Sequence, residues 1–311
     1  MTVCRLDNRK GIIFHIIHGS FVDGPGIRTT LFLKGCPLRC VWCCNPEGQE
    51  KLPEIKLTSS KCNGCEKCVK ICPVQAISLN RELGDDKIHI DRHLCTNCGK
   101  CVDVCFTGAL EYFGKYMTVN EVFNIVTRDK QFYKMSGGGV TIGGGEPMFQ
   151  LSFTYTLLKK FQKNRIHTAI DTCGYVLNIK GIKILEEADL LLYDLKGMDL
   201  KEHLRNTGVS NALILKNLRK LTAMGKPIIV RMPIVPGYND SEQNIKQTAE
   251  LLSKMKSVER VDILPYHKYG TVKYEQLGKT YRLSVQTPSQ EYINKIQSVF
   301  EYYKVQTQIG G

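Results

Sequence analysis

Residues 29–43 read TTLFLKGCPLRCVWC. An apolar strand-like run, Thr29 to Leu33, leads directly into three cysteines with the spacing Cys-x3-Cys-x2-Cys: Cys36, Cys40 and Cys43. Three thiolates on one short loop can hold three irons of a four-iron cubane and leave the fourth iron open. An open iron can take a substrate ligand, as a catalytic zinc keeps one position free. A zinc knuckle is the alternative, and it needs a fourth ligand close by. Cys44 is a poor one, because a side chain adjacent to Cys43 points elsewhere.

Working outward, a strand-like stretch from Gly11 to Ile17 is followed by the turn Asp23-Gly-Pro-Gly26. From about Thr58 to Gly114 the texture changes to short segments dense in cysteine, which predicts a small module (58–114) inserted into a larger domain (1–57 and 115–311). Beyond it, helix and strand patterns alternate. Thr118 and Glu121 form a capping box for a helix to about Phe132. Strands are expected at Gly139 to Ile142, Ile166 to Asp171, Leu190 onward, Pro227 to Met232 and Arg260 to Leu264. Helices are expected at Leu151 to Asn164, Ser210 to Met224, from a cap at Asp240 to Met255, and at Ser289 to Tyr303. This alternation predicts an α/β fold with a parallel sheet and right-handed crossovers, a full or partial barrel. Functional groups of such sheets gather at the C-terminal strand ends. Cys36, Gly144-Gly-Glu146, Asp171, Asp194-Leu-Lys196 and His267 each follow an apolar strand.

The module carries Cys62-x2-Cys65-x2-Cys68-x3-Cys72-Pro73 and then Cys95-x2-Cys98-x2-Cys101-x3-Cys105. Each is the spacing of a bacterial ferredoxin half, in which the fourth cysteine serves the other cluster. Cys62, Cys65, Cys68 and Cys105 are therefore expected to hold one cubane, and Cys95, Cys98, Cys101 and Cys72 the second. Phe106 replaces the usual proline, which affects the turn and not the ligation. With all four positions filled by protein, these clusters suit electron transfer. They could relay electrons from a flavodoxin or ferredoxin, dock a partner, or serve structurally.

Composition bounds the rest. Of the 311 residues, 42% are hydrophobic and 14 are cysteine. So many cysteines without an apolar leader at Met1 to Lys10 point to redox or metal chemistry in the cytoplasm, not to a disulfide scaffold. Without a run of eighteen apolar residues, no membrane span is expected. The formal charge of +13 falls to about +8 once three clusters are counted. With no Lys/Arg block or RNA-binding signature, nucleic acid is not expected, and the remaining basicity reads as a diffuse surface property that an acidic protein partner could exploit. Cys4, Cys44 and Cys173 are read as non-ligands, Cys173 as an ordinary buried small residue.

The three-cysteine spacing, its place after a strand and the downstream motifs resemble the radical S-adenosylmethionine (SAM) superfamily. Val22-Asp-Gly-Pro-Gly-Ile-Arg28 further resembles the signature of the glycyl radical enzyme activating family. The resemblance implies a partial (β/α)6 TIM-like barrel with a ferredoxin-like insertion. It implies that the open iron binds the amino and carboxylate groups of SAM. One electron then cleaves SAM to methionine and a 5′-deoxyadenosyl radical, which takes hydrogen from a backbone glycine of a partner glycyl radical enzyme. Asp23 would face that glycine loop. Gly143-Gly-Gly-Glu-Pro147 resembles the GGE motif, placing Gly144, Gly145 and Glu146 at SAM, although the family usually has Ser or Thr at position 143. Asp171-Thr172 and Asp194-Leu-Lys196 match two further motifs. Asp194 and Lys196 would orient the methionyl end, and Asp171, Thr172 and Asp194 could bind a monovalent cation. Ile263-Leu-Pro-Tyr-His267 resembles the LLPYH segment, making His267 a SAM contact. Trp42 and Arg231 are counted with the SAM-binding groups, Arg231 toward ribose or carboxylate. The insertion suggests the subgroup that activates choline lyase, glycerol dehydratase or 4-hydroxyphenylacetate decarboxylase. The rival readings are a radical SAM enzyme acting on a small molecule and a ferredoxin-type electron carrier.

Overall fold

A computed structural model describes residues 8–80 and 87–310; Cys4 lies outside them. In chain order the strands are β1 (Lys10–Ser20), β2 (Arg28–Leu33), β3 (Glu54–Leu57), β4 (Ile77–Asn80), β5 (Lys87–Ile90), β6 (Leu110–Phe113), β7 (Lys115–Thr118), β8 (Gly139–Gly144), β9 (His167–Thr172), β10 (Leu190–Asp194), β11 (Ile228–Ile234), β12 (Val258–Pro265) and β13 (Thr307–Ile309). Nine of them form one sheet in the order β13-β12-β11-β10-β9-β8-β2-β1-β7. From β2 across to β13 every pairing is parallel. β1 and β7 extend the other edge in antiparallel register. The sheet does not close on itself, so of the full or partial barrel that the alternation allows the partial one is found, as the resemblance implies.

Parallel strands need helical crossovers, and those crossovers cover the outer face. Helices Leu151–Lys163, Ile179–Glu187, Ala212–Ala223, Glu242–Ser253 and Gln290–Tyr302 supply them. They bury a continuous apolar layer that includes Leu158, Leu185, Leu218, Ile245 and Phe300. The pleat turns alternate residues to the opposite face. There, Ala169, Leu190, Leu192 and Ile229 form a separate small apolar plug. One step further along the same strands stand Asp171, Asp194 and Arg231. The plug is thus the floor on which the polar site rests.

Two boundaries differ from expectation. The helix that starts at the Thr118/Glu121 capping box ends at Val126, passes through a tight turn at Thr127–Asp129 and restarts as Lys130–Ser136. Asp129 causes the break, because its carboxylate is drawn back to the sheet by the Thr29 hydroxyl (2.5 Å) and by His18. The later cap is Ser241, whose Oγ accepts from Asn244 N (3.2 Å). Asp240 instead accepts from Gly237 N (2.8 Å) and from the Tyr292 hydroxyl (2.6 Å).

The cysteine-rich segment is built on two small antiparallel sheets, β3 with β6 and β4 with β5. The chain enters and leaves this segment at one point. A Cβ placed on Gly114 would lie 3.3 Å from Pro53 Cα and 2.5 Å from the Lys34 side chain. Its φ of +107° also favours glycine there.

The turn 21–27 is anchored by Arg28, which is fully buried. Its guanidinium donates to Thr141 Oγ1 (2.7 Å), Val140 O (2.8 Å) and Pro25 O (3.1 Å). Burial lowers its pKa to about 10, so it remains a cation at neutral pH. Lysine at this position can satisfy only part of that fork. Arg28→Lys is expected to cost about 3 kcal/mol and to open residues 21–27 to limited proteolysis, read by mass spectrometry of the fragments.

Candidate active site

Cys36, Cys40 and Cys43 leave the C-terminal end of β2 on a loop held from both sides. Gly35 N donates to Gly48 O (2.8 Å) and Cys36 N to Gln49 O (3.0 Å). Arg39 N and Val41 N donate to Thr207 O (2.7 Å) and Asn206 O (2.9 Å). Trp42 fills an apolar patch with Val235, Tyr266 and Leu283. The loop forms one wall of a cavity of about 210 Å³. The cavity is also lined by Asp23, Trp42, Gly144, Gly145, Asp171, Asp194, Lys196 and Arg231. The structure therefore gathers eleven of the thirteen SAM-centre residues expected from sequence.

Glu146 and His267 are the two that do not line it. Glu146 is buried behind the wall, with its carboxylate occupied by Met148 N (3.0 Å), Cys173 N (2.8 Å) and the Thr172 hydroxyl (2.9 and 3.0 Å). Its carboxylate therefore ties the residue after the Gly144-Gly145 turn to the end of β9. Thr172, expected beside Asp171 as a cation ligand, is engaged by Glu146, since neighbouring strand residues face opposite ways. His267 is exposed, its ring centroid 4.4 Å from that of Tyr269. Gly143 has a local reason: a Cβ there would lie 3.0 Å from Asp171 Cβ, so a bulkier residue would press on that carboxylate.

The charges are paired across the interior. Arg231 Nη1 lies 3.0 Å from Asp171 Oδ2 and 3.8 Å from Asp23 Oδ1. Lys196 Nζ lies 2.7 Å from Asp194 Oδ2. Burial raises the Asp171 pKa to about 7, against the pull of Arg231. Burial also works against the Lys196 cation, but Asp194 and Cys40 outweigh it and hold its pKa well above the ordinary value. Asp23 is oriented by the hydroxyls of Ser20 (2.6 Å) and Thr30 (2.7 Å). Ser20 and Thr30 were not singled out in the sequence.

Several observations fit an iron–sulfur cluster with SAM. The donor set is three thiols on one loop; burial pushes the Cys40 thiol up to about 12, so without a metal it keeps its proton, and cluster binding would have to displace that proton. Arg231 Nε is buried beside the cavity without a partner, available to an anionic group. Cys173, beyond its expected role, lines the same cavity, and its hydrogen bond to Cys36 lowers the Cys36 thiol pKa. Cys44 lines the cavity as well.

The two cysteine repeats of the insertion fold alike. Gly64 and Asn97 have φ of +70° and +54°, and Glu66 and Gly99 have +54° and +85°. Each left-handed pair sits at the same place between cysteines and opens into a short helix, Lys67–Ile71 or Lys100–Asp103. Such turns direct backbone N–H groups at a bound anionic centre. Cys62, Cys65, Cys68 and Cys105 line a common cavity of about 20 Å³.

Residues 94–252 match the model of the Radical SAM superfamily, and residues 61–109 match the 4Fe-4S dicluster domain. The isethionate sulfite-lyase activating enzyme of Nitratidesulfovibrio vulgaris is 42% identical over 93% of this chain and 94% of that protein. The chain belongs to the radical SAM superfamily. Within it, the chain groups with the activating enzymes of glycyl radical enzymes. The trans-4-hydroxy-L-proline dehydratase activating enzyme of Clostridioides difficile is 41% identical over 96% of this chain and 99% of that protein. Among solved structures, Streptococcus suis SuiB bound to precursor peptide SuiA is similar at a TM-score of 0.50 and 15% identity. It covers 63% of this chain and 43% of that one, a likeness of fold alone. This radical SAM protein thus carries iron–sulfur and SAM chemistry on the barrel described above.

Glu146 yields a prediction about stability. Glu146→Ala leaves two buried backbone N–H groups and a hydroxyl unpaired and is expected to lower stability by about 4 kcal/mol, with Glu146→Gln losing roughly half as much. Urea unfolding of the cluster-free, reduced protein measures both.

Proposed function

We propose that this chain activates a glycyl radical enzyme through the cavity walled by Cys36, Cys40 and Cys43. The observation that carries the reading is the convergence of that loop with Asp23, Asp171, Asp194, Lys196 and Arg231 on one cavity. When bound there, a reduced 4Fe-4S cluster and SAM supply a 5′-deoxyadenosyl radical, which takes a hydrogen atom from a backbone glycine of the partner.

The remaining work belongs to the chain. Cys36, Cys40 and Cys43 would hold three irons of the cluster and leave one for SAM. Gly144 and Gly145 admit the ligand against bare backbone, where a Cβ on Gly145 would lie 2.4 Å from Gly35 O. Lys196, kept cationic by Asp194, attracts the carboxylate of the methionyl end, and Arg231 Nε offers a second donor. Trp42 packs the loop from behind, and Glu146 acts by holding the glycine turn. Asp23 stands beside Arg231 on the turn 21–27, placed to meet the partner's glycine loop. His267, on the exposed rim, is a contact only if its loop folds inward over SAM. A monovalent cation has Asp171 and Asp194 as its oxygen ligands.

In this reading, residues 1–57 and 115–311 are the catalytic domain and residues 58–114 an electron-handling unit. That unit holds two further 4Fe-4S clusters, one on Cys62, Cys65, Cys68 and Cys105, the other on Cys95, Cys98, Cys101 and Cys72, making three in all. A flavodoxin or ferredoxin is the donor, and the cytoplasm, where thiols stay reduced, is the location. No helix among the described residues is long and apolar enough to cross a membrane.

Anaerobic reduction of the reconstituted protein with SAM tests the reading. The wild type is expected to form 5′-deoxyadenosine and Cys40→Ala none. Adding a candidate glycyl radical enzyme should then produce a glycyl signal by electron paramagnetic resonance. Failure of SAM cleavage despite assembled clusters would leave an electron carrier as the function. Lys196→Met is expected to weaken SAM binding by at least about tenfold in calorimetric titration, with cluster absorbance unchanged. Asp23→Asn should retain SAM cleavage while lowering glycyl radical yield by roughly tenfold, the loss of one charged hydrogen bond.

A further inference from the structure

The two halves of the inserted module are not equivalent with respect to the barrel. Arg92, three residues before Cys95, donates to Ile55 O (2.5 Å) and across to Gln276 O (3.0 Å). Gly278 lies against the same guanidinium, since a Cβ there would be 3.0 Å from Arg92 Nε. Gln276 ends the helix Thr271–Gln276. At the other end of that helix, Gly270 packs on the three-cysteine loop, its Cβ position 2.9 Å from Cys44 Cα and 3.2 Å from Cys43 O. Six residues of helix span about 9 Å. A single short helix therefore joins the Cys43 turn to the loop that opens with Cys95.

The Cys62 half looks the other way. The cavity shared by Cys62, Cys65, Cys68 and Cys105 is lined by module residues alone. Around it Cys65 is exposed, and so are Lys61, Lys67 and Lys70. Among the described residues none of these lysines has a carboxylate partner, and Lys67 and Lys70 share one helix face at i,i+3 spacing. Phe106, where the ferredoxin spacing usually has proline, is 67% exposed, with the Lys67 ammonium 4.9 Å from its ring centroid. Ile71, which ends the helix carrying Lys67 and Lys70, and Val74 are exposed apolar residues. In the Cys95 half the corresponding Lys100 is accompanied by Asp91 and Asp103 instead of further lysines.

We propose that the face formed by Lys61, Lys67, Lys70 and Phe106 is the docking surface for an acidic, low-potential one-electron carrier protein. The carrier is oxidised by one electron as the cluster on Cys62, Cys65, Cys68 and Cys105 is reduced by one. The electron then moves to the Cys95 half and, past the helix 271–276, to the Cys36–Cys43 loop. No proton or bond change accompanies the transfer. Unneutralised lysines around an exposed aromatic ring give the two components of a transient carrier interface: long-range attraction and a small apolar contact. This assignment rests on the cluster ligands proposed above.

The test uses the reconstituted full-length protein without SAM or partner enzyme, so its result is independent of whether the chain activates a glycyl radical enzyme. Binding of flavodoxin and of ferredoxin, both acidic, is measured by calorimetry at low and at 0.3 M salt. Bleaching of cluster absorbance by the reduced carrier is followed by stopped flow. The wild type should bind one of them with an affinity that falls steeply with salt. The triple variant Lys61→Glu, Lys67→Glu, Lys70→Glu should lose at least tenfold in affinity and in bleaching rate, while bleaching by dithionite and iron content stay unchanged. Lys100→Glu should stay within twofold of wild type. If the triple variant loses iron, the uncharged variant Phe106→Ala replaces it, with a loss of severalfold in affinity expected. Three results would overturn the assignment: no salt-sensitive binding of either carrier, an unaffected charge-reversed or Phe106 variant, or an equal loss in Lys100→Glu.

Discussion

Arg231 stands in the barrel interior with Asp171 at 3.0 Å and Asp23 at 3.8 Å, and much of the architecture follows from keeping that cation satisfied. A buried charge without partners costs several kcal/mol, so the groups around it must come to it. Asp171 arrives from β9 by the pleat of the sheet. Asp23 is brought from outside the sheet by a turn that folds back beneath the strands. That turn is fixed in its own right. Arg28 braces it through Pro25 O and Thr141, and Thr141 in turn donates to Asp23 O (2.6 Å). One interior cation thereby links strands β9 and β11 to the turn 21–27.

The general fold was legible because it depends on local pattern. The strands alternate with helices at the expected places, and the residues at the C-terminal ends of β2, β8, β9, β10 and β11 do converge. The cysteine spacings were legible for the same reason, since each repeat is a local unit whose left-handed positions recur. Where the reading fell short, the deciding contact was distant in sequence. The helix from Val119 is interrupted because Asp129 meets Thr29, a hundred residues away. Glu146 reads as a ligand-facing residue of its motif, yet its carboxylate is claimed by Thr172 and the Cys173 amide from the neighbouring strand. Cys173 reads as filler, and it lines the same cavity as Cys36. The supports of Asp23, Ser20 and Thr30, have no sequence signature beyond being hydroxyls near a carboxylate.

A second charged network sits at the root of the insertion. Lys34 is fully buried and donates to Glu47 O (2.7 Å) and Glu54 (3.0 Å). Glu54 also meets Lys279 (3.0 Å), and Glu47 meets Lys273 (2.6 Å). Lys34 lies two residues before Cys36, and Glu54 opens β3. Strand β3, which leads into the module, and the start of the three-cysteine loop therefore meet at one ammonium group. Breaking a buried pair of this kind by removing one partner leaves an uncompensated charge, so the geometry of this junction is strongly held.

The crossing at Pro53 and Gly114 has a consequence for how such a chain could arise. Because the excursion of some sixty residues starts and ends at one spot, its removal would leave a gap that a short turn can close. Strands β1, β2 and β7 would keep their register, and Lys34 would lose one carboxylate but not its backbone acceptor. The cysteine-rich excursion thus departs from and rejoins the rest of the chain at a single crossing. A lineage could gain, lose or exchange that excursion without redesigning the pocket, which none of its residues lines.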